Sequence, residues 1–138
     1  MSGTRDEPEG MPDEAAAAGV APIFVIGSPR SGTTILGEIL DCHSQISQWY
    51  EPYFVWDHHF RNHPHDQRSE RDATPRVVKQ VRRDFSRYLK NSGTALLVDK
   101  SPRNSLKIPF IKKIFPGARF IHILRDGRDA TLSIHKEW

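Results

Sequence analysis

A short apolar run, a glycine-bounded turn and a helical pattern follow one another near the start of the chain, and they constrain its fold most. Residues 22–26 are apolar and rich in β-branched side chains, which predicts a buried strand. The turn runs from Gly27 to Gly32, and apolar side chains then recur at helical spacing. Such a strand–loop–helix unit suits a phosphate, because backbone N–H groups of the loop and of the helix N-terminus converge on an anion.

The loop is close to the nucleotide-binding pattern G-x-x-x-x-G-K-[ST] but differs at one position. Gly27 and Gly32 have the required separation, and Thr34 stands at the Ser/Thr position. Thr33 occupies the lysine position, while a cation, Arg30, lies inside the loop. Because ATP and GTP hydrolysis needs that lysine on the β- and γ-phosphates, its absence argues against an ordinary triphosphatase. A nucleotide kinase-like phosphotransferase and a plain connecting turn remain as alternatives.

Two further apolar runs predict strands, at residues 95–98 and 119–124. Helical patterns separate the three strands: one reaches about Asp41, one begins at Thr74-Pro75 and ends near Gly93, and one is capped by Ser105. The connector at residues 42–52 is given no regular structure, and Pro52 is expected to keep Glu51 extended. Alternating strands and helices predict an α/β fold with a parallel sheet, flanking helices and right-handed crossovers.

Cations follow each predicted strand closely. Arg30, Lys100 and Arg125 all come within a few residues of the carboxyl end of an apolar run. Ligands of open parallel sheets bind outside those ends. The sequence therefore predicts a site for a polyanion there, without reference to any family.

Length and composition narrow the class of protein. A chain of 138 residues allows one domain, and no apolar run approaches the length of a membrane span. A single cysteine, Cys42, excludes an internal disulfide framework and suits a reducing compartment, so we expect a cytoplasmic protein. The charge of +3 is uneven: residues 1–20 carry one arginine against five acidic residues, a net −4, which leaves +7 for the remainder. Residues 1–20 are predicted to be a disordered tail, and the basic remainder, which has no nucleic-acid motif, suits an anionic small ligand.

Residues 53–60 are aromatic and predict a short helix, and four histidines lie close together in the sequence at its end and just beyond it. They are His58, His59, His63 and His65. Metal binding is one interpretation, but no further ligand group stands at a recognised spacing, so a solvated polar loop is favoured and no metal is predicted.

The loop resembles the 5′-phosphosulfate loop of the sulfotransferase superfamily, which has the form P-[KR]-S-G-T-T. The matching residues here are Pro29, Arg30, Ser31, Gly32, Thr33 and Thr34, and Ser28 directly before them is expected to share the phosphosulfate site. A second block, at residues 125–133, resembles the superfamily's 3′-phosphate motif, with Arg125 and Ser133 eight residues apart. The resemblance covers residues 22–138 and implies a P-loop-like, three-layer core. It also implies 3′-phosphoadenosine 5′-phosphosulfate (PAPS) as the sulfuryl donor, bound by these nine residues.

The resemblance also implies catalytic roles, closest in style to tyrosylprotein and bacterial sulfotransferases. Arg30 and Lys100 are the candidates for stabilising the leaving phosphate, and Glu51 is the candidate general base. A salt bridge to Arg30 or a surface position is the alternative for Glu51. Asp57 and His58 are weaker candidates for the base.

Departures from the family pattern restrict what the resemblance implies. Residues 49–52 read Trp-Tyr-Glu-Pro where the tyrosylprotein type has Gly-Glu-Glu-Thr, so peptide tyrosine need not be the acceptor. A carbohydrate, a lipid, a small molecule or a peptide remain open as acceptors of the sulfuryl group. Because family members continue beyond the 3′ motif, residues 21–138 are expected to be the N-terminal part of a sulfotransferase domain, incomplete at its C-terminus. A non-catalytic nucleotide-binding fragment is the alternative from another class.

Overall fold

The computed structural model describes residues 19–136, so the tail predicted for residues 1–20 lies almost wholly outside the described residues. The strands are β1 (Ile23–Gly27), β2 (Ile46–Tyr50), β3 (Leu96–Lys100) and β4 (Arg119–Ile123). The helices are α1 (Thr33–Asp41), α2 (Tyr53–Asp57), α3 (Pro75–Ser92), α4 (Ile108–Ile114) and α5 (Gly127–His135). Short 3₁₀ helices cover Glu70–Asp72 and Pro102–Leu106. Within the described part of the chain, no helix combines the length and apolarity needed to cross a membrane.

The four strands form one parallel sheet in the order β2-β3-β1-β4. All three predicted strands are present, and helices alternate with strands along the chain. The predicted α/β class with a parallel sheet and flanking helices is therefore confirmed. Since every strand points the same way, the carboxyl ends of all four meet at one edge of the sheet.

Helices cover the two faces of the sheet unequally. One face packs Phe24, Ile26 and Leu97 against α2, α3 and α4, and this is the main hydrophobic core. Phe24 lies at its centre, where its ring contacts four other aromatic rings. The other face is covered by α1, whose glycine, Gly37, lies against Gln48 and the stem of Lys100. The sheet therefore separates a thick aromatic layer from the helix that begins at the glycine loop.

The strand β2 corrects the expectation of an irregular connector at residues 42–52. Ile46–Tyr50 pairs with β3 along its whole length, from Ile46 opposite Leu96 to Tyr50 opposite Lys100. The strand escaped the sequence analysis because it is an edge strand, half-buried, with polar Ser47 and Gln48 at its centre. Its side chains still alternate: Trp49 stacks on Tyr88 of the core, while Tyr50 turns to the face of Lys100.

Helix ends confirm one predicted cap and correct another. Thr74 accepts a hydrogen bond from the Val77 N–H and caps α3 as predicted. Ser105 does not cap α4; it lies inside the 3₁₀ helix, where its hydroxyl donates to the Pro102 carbonyl. Leu106, the next residue, is exposed rather than packed in the core. Pro109 explains the difference, because it delays regular α-helical hydrogen bonding until after Lys107.

Candidate active site

A cleft of about 560 Å³ opens at the carboxyl edge of the sheet. Most of the residues predicted for the site line it. They are Pro29, Arg30, Gly32, Thr33, Thr34, Glu51, Lys100, Arg125 and Ser133. Its volume falls within the range of small-molecule and cofactor sites. Ser28 and Ser31, also predicted, do not line the cleft.

The glycine loop joins β1 to α1 and is held in shape by its own hydrogen bonds. Both the backbone N–H and the hydroxyl of Ser31 donate to the Ser28 carbonyl, at 3.2 and 2.7 Å. At Gly27 the chain passes so close to β4 that a Cβ atom would lie 2.7 Å from the Ile123 carbonyl oxygen. Gly32, with φ of 103°, forms the N-cap of α1, a conformation that favours glycine. The N-terminus of α1, where unpaired N–H groups favour an anion, therefore meets the cleft.

Arg30 and Glu51 share an unusual backbone conformation. Within residues 19–136 they are the two non-glycine residues with positive φ, 65° for Arg30 and 46° for Glu51. Glu51 is therefore left-handed rather than extended, which corrects the expectation drawn from Pro52. A left-handed conformation costs a non-glycine residue about 1–2 kcal/mol, and such strain is concentrated at functional sites. Two of the three predicted catalytic residues carry it.

Lys100 connects the glycine loop to Glu51. Its ammonium group donates to the Glu51 carboxylate at 2.7 Å and to the Thr34 hydroxyl at 3.1 Å. The Tyr50 ring lies against the same ammonium, with 3.8 Å between Nζ and the ring centroid. Lys100 is only 1% exposed, so these partners replace the water that a buried charge has lost. The structure thus brings the second and third predicted catalytic residues into direct contact.

Arg125 and Ser133 both contact Arg30. The Arg125 guanidinium donates to the Arg30 carbonyl at 2.8 Å, and the Arg30 guanidinium donates to the Ser133 hydroxyl at 3.0 Å. Asp126, the residue after Arg125, caps α5 and forms an ion pair with Arg128 at 2.9 Å. The contacting residues are 95 and 103 positions apart in the sequence. The two blocks that the sequence predicts separately therefore meet on one side of the cleft.

Four residues of the cleft were missed by the sequence analysis, namely Ile35, Glu38, Tyr50 and Pro102. Tyr50 was missed because β2 was missed. Residues 46–50 read Ile-Ser-Gln-Trp-Tyr and lack the strict alternation typical of a half-buried strand. Pairing of this segment with β3 is what puts Tyr50 beside Lys100.

Tyr53 lies at the start of α2, next to Glu51. Burial and the nearby Glu51 carboxylate raise the pKa of the Tyr53 phenol well above its usual value. The Arg103 guanidinium stacks on the Tyr53 ring, 4.6 Å from its centroid. The Tyr53 phenol beside Glu51 is therefore neutral at neutral pH.

The histidines form two pairs rather than one cluster. The rings of His58 and His59 are 4.8 Å apart, and those of His63 and His65 are 6.1 Å apart. Among residues 19–136, no group of three or more His, Cys, Asp or Glu side chains is arranged to hold a metal ion. Asp57 and His58, the weaker candidates for the base, are not among the residues that line the cleft.

Comparison with known proteins identifies the family. Residues 22–138 match the model of a group described as "Sulfotransferase family". The chain belongs to the sulfotransferase family. The match begins at the first residue before β1 and extends through both predicted phosphate blocks, so it covers the elements that form the cleft.

Named sulfotransferases occur among the relatives of this family member. The nodulation protein NoeE of Sinorhizobium fredii is 28% identical over 83% of this chain and 31% of its own length. The omega-hydroxy-beta-dihydromenaquinone-9 sulfotransferase Stf3 of Mycobacterium bovis is 26% identical over 83% of this chain and 45% of its own. Protein-tyrosine sulfotransferase 1 of Homo sapiens is 27% identical over 81% of this chain and 33% of its own. The chain thus spans less than half the length of these relatives.

Proposed function

We propose that the protein transfers a sulfuryl group from PAPS to a hydroxyl or amine acceptor. One observation carries the proposal: the Lys100 ammonium contacts both Thr34 of the glycine loop and the Glu51 carboxylate. A cation between a phosphate-binding loop and a candidate base is placed to stabilise the leaving phosphate as the S–O bond of the phosphosulfate anhydride breaks. Membership of the sulfotransferase family supports the same chemistry.

The glycine loop and Arg125 are proposed to hold the donor. Gly32, Thr33 and Thr34 line the cleft where α1 begins, and a helix N-terminus suits the 5′-phosphosulfate. Arg125 and Ser133, which both contact Arg30, suit the 3′-phosphate, for which a guanidinium offers two parallel hydrogen bonds. Ser31 has a supporting role in this proposal, because its hydroxyl is engaged by the Ser28 carbonyl.

Glu51, Lys100 and Arg30 are proposed to carry the transfer itself. PAPS supplies the sulfuryl group, which leaves the bridging phosphate oxygen and bonds to the acceptor oxygen or nitrogen. Glu51 accepts the proton that the acceptor loses. Lys100 and Arg30 stabilise the negative charge that grows on the leaving phosphate. Arg30 and Glu51 both have a strained backbone conformation. Such strain is kept where the direction of a side chain matters more for function than the stability that the strain costs.

The position of Lys100 also bears on the kinase-like alternative. In a triphosphatase loop, the cation beside the Ser/Thr hydroxyl comes from the loop itself. Here it comes from the end of β3, and the residue at the loop's lysine position, Thr33, is buried. The cation therefore approaches from the side of Glu51, which suits a leaving group that faces the acceptor better than a triphosphate lying along the loop.

The kind of acceptor, the domain and the compartment are each proposed from a separate observation. The relatives named above include enzymes named for a menaquinone derivative and for protein tyrosine, so we propose an acceptor that carries a hydroxyl group. Residues 21–138 are proposed to form part of a sulfotransferase domain. The one cysteine, Cys42, is exposed and suits a reducing compartment, which favours the cytoplasm.

The experiment is transfer of labelled sulfuryl from PAPS to a panel of phenols, alcohols, amines and sugars. Arg30→Ala and Lys100→Ala should each lower kcat by roughly 10²–10³-fold, as for loss of one charge-stabilising donor. Glu51→Gln keeps the shape, removes the base and should lower kcat by roughly 10²–10⁴-fold. Lys113→Ala, which removes an exposed cation of α4, is the matched control and should change nothing. Absence of sulfuryl transfer together with Mg²⁺-dependent ATP turnover would overturn the proposal in favour of the kinase-like alternative.

A further inference from the structure

Asp99 is a fully buried carboxylate directly before Lys100. It is 0% exposed and lies in β3, between Trp49 of β2 and Phe24 of β1. Since side chains alternate along a strand, Asp99 points to the aromatic core while Lys100 points to α1 and the cleft. Burying a carboxylate is expensive unless it is hydrogen-bonded, so its contacts need an explanation.

Three side chains donate to this carboxylate, one from α2 and two from the 3₁₀ segment that directly follows β3. The Trp56 indole donates at 2.8 Å, the Ser101 hydroxyl at 2.6 Å and the Asn104 amide at 3.1 Å. All three donors are buried. Burial raises the pKa of Asp99 to about 6, and the three hydrogen bonds and the Lys107 ammonium act against that rise. Asp99 is thus mainly ionised at neutral pH.

These hydrogen bonds tie α2 to the end of β3. Trp56 belongs to α2, which begins two residues after Glu51, while Asp99 is bonded covalently to Lys100. The backbone closes the same junction, since the Glu51 N–H donates to the Lys100 carbonyl at 3.1 Å. A displacement of α2 relative to β3 would therefore change the 2.7 Å contact between Glu51 and Lys100.

We propose that Asp99 is a positioning residue that holds the Glu51 carboxylate and the Lys100 ammonium in register for sulfuryl transfer. The inference rests on the proposed function, since it assigns a purpose to a contact between two proposed catalytic groups. Asp99 itself does not line the cleft. Asp99 acts through the indole of Trp56 on one side and through the peptide bond to Lys100 on the other.

Asp99→Asn tests the inference with the smallest change of shape. The amide replaces one acceptor oxygen with an NH₂ group, which faces the donors that the carboxylate had satisfied. Trp56→Phe removes a single donor and leaves the carboxylate in place. A misplacement of about 1 Å can cost 10²-fold in rate, so kcat should fall by roughly 10–100-fold in each variant. Asp99 does not line the cleft in which PAPS is proposed to bind. The Kd for adenosine 3′,5′-bisphosphate should therefore stay within about twofold of wild type.

The readout must separate positioning from stability. Calorimetric titration with the bisphosphate counts folded donor sites, and kcat is then expressed per site, so that an unfolded fraction does not lower it. Asp72→Asn is the matched control, because it removes a hydrogen-bonded carboxylate from the 3₁₀ turn at Ser69, away from the cleft. It should leave kcat per site unchanged.

A lower kcat per site with an unchanged Kd, in every one of the two variants that folds, supports the inference. If Asp99→Asn does not fold, Trp56→Phe alone decides. An unchanged kcat per site overturns the inference, as does a Kd that weakens in parallel with kcat, because Asp99 would then serve the fold in general. Failure of the wild-type protein to transfer a sulfuryl group would instead refute the proposed function.

Discussion

The substitution Gly27→Ala tests how closely the glycine loop approaches β4. A Cβ atom at residue 27 would lie 2.7 Å from the Ile123 carbonyl oxygen and 2.8 Å from the Ser31 hydroxyl oxygen. A relaxed carbon–oxygen contact is about 3.3 Å or longer, so β1 and β4 would have to separate by about half an ångström at their ends. The Ser31 hydroxyl cannot simply turn away without giving up its hydrogen bond to the Ser28 carbonyl. Overpacking of this kind costs about 1–3 kcal/mol.

Equilibrium unfolding in urea measures the stability of the protein. Calorimetry with adenosine 3′,5′-bisphosphate measures the affinity of the glycine loop for its phosphate. We expect the free energy of unfolding to fall by about 1–3 kcal/mol. We also expect the bisphosphate Kd to rise by about tenfold or more, the worth of one hydrogen bond to a charged group. Gly127→Ala is the matched control, since a Cβ there meets no atom within 4 Å. A Gly27→Ala protein that matches Gly127→Ala in both measurements would refute the reasoning.

Two further predictions concern stability. Thr74→Ala removes the cap of α3 and should lower the free energy of unfolding by about 1 kcal/mol, whereas Thr74→Ser should restore most of it, as urea denaturation can check. The folded protein raises the pKa of Asp99 to about 6, so it binds that proton more tightly than the unfolded chain does. The stability of wild type relative to Asp99→Asn should therefore increase by roughly 1–3 kcal/mol as the pH falls from 7 to 4, and decrease as the pH rises through 6. Urea unfolding of both proteins at each pH measures this difference, and a difference that does not vary with pH would contradict the assignment.

The sequence predicts a strand wherever apolar residues dominate a short run. β1 and β3 are found because residues 23–26 and 96–98 are apolar and lie in the inner strands of the sheet. β4 is also an edge strand, and it is found because Phe120, Ile121 and Ile123 outnumber its polar residues. β2 is an edge strand whose Ser47 and Gln48 give it the composition of a connector. What makes it a strand is pairing with β3, a contact made with residues 50 positions away. Local composition does not contain that information.

Part of the candidate site also follows from the sequence and part does not. The meeting of Arg30, Lys100 and Arg125 at one edge follows from parallel strands alone, and the cleft contains all three. Which side chains of the site contact one another does not follow from the parallel strands. The contact between Glu51 and Lys100 depends on the register of the missed strand and on a left-handed residue that sequence rules assign to an extended chain. Asp99 was overlooked because a single aspartate in an apolar strand gives no signal of its three donors.

The most direct test of the central claim is the affinity of the protein for a 3′-phosphate. The account assigns Arg125 and Ser133 to that group, so calorimetry should show adenosine 3′,5′-bisphosphate binding more tightly than adenosine 5′-monophosphate by about 1.5–3 kcal/mol. Arg125→Ala should remove most of this preference, whereas Arg128→Ala, which changes an exposed neighbour paired with Asp126, should keep it. Equal affinities of the wild-type protein for the two nucleotides would contradict the account.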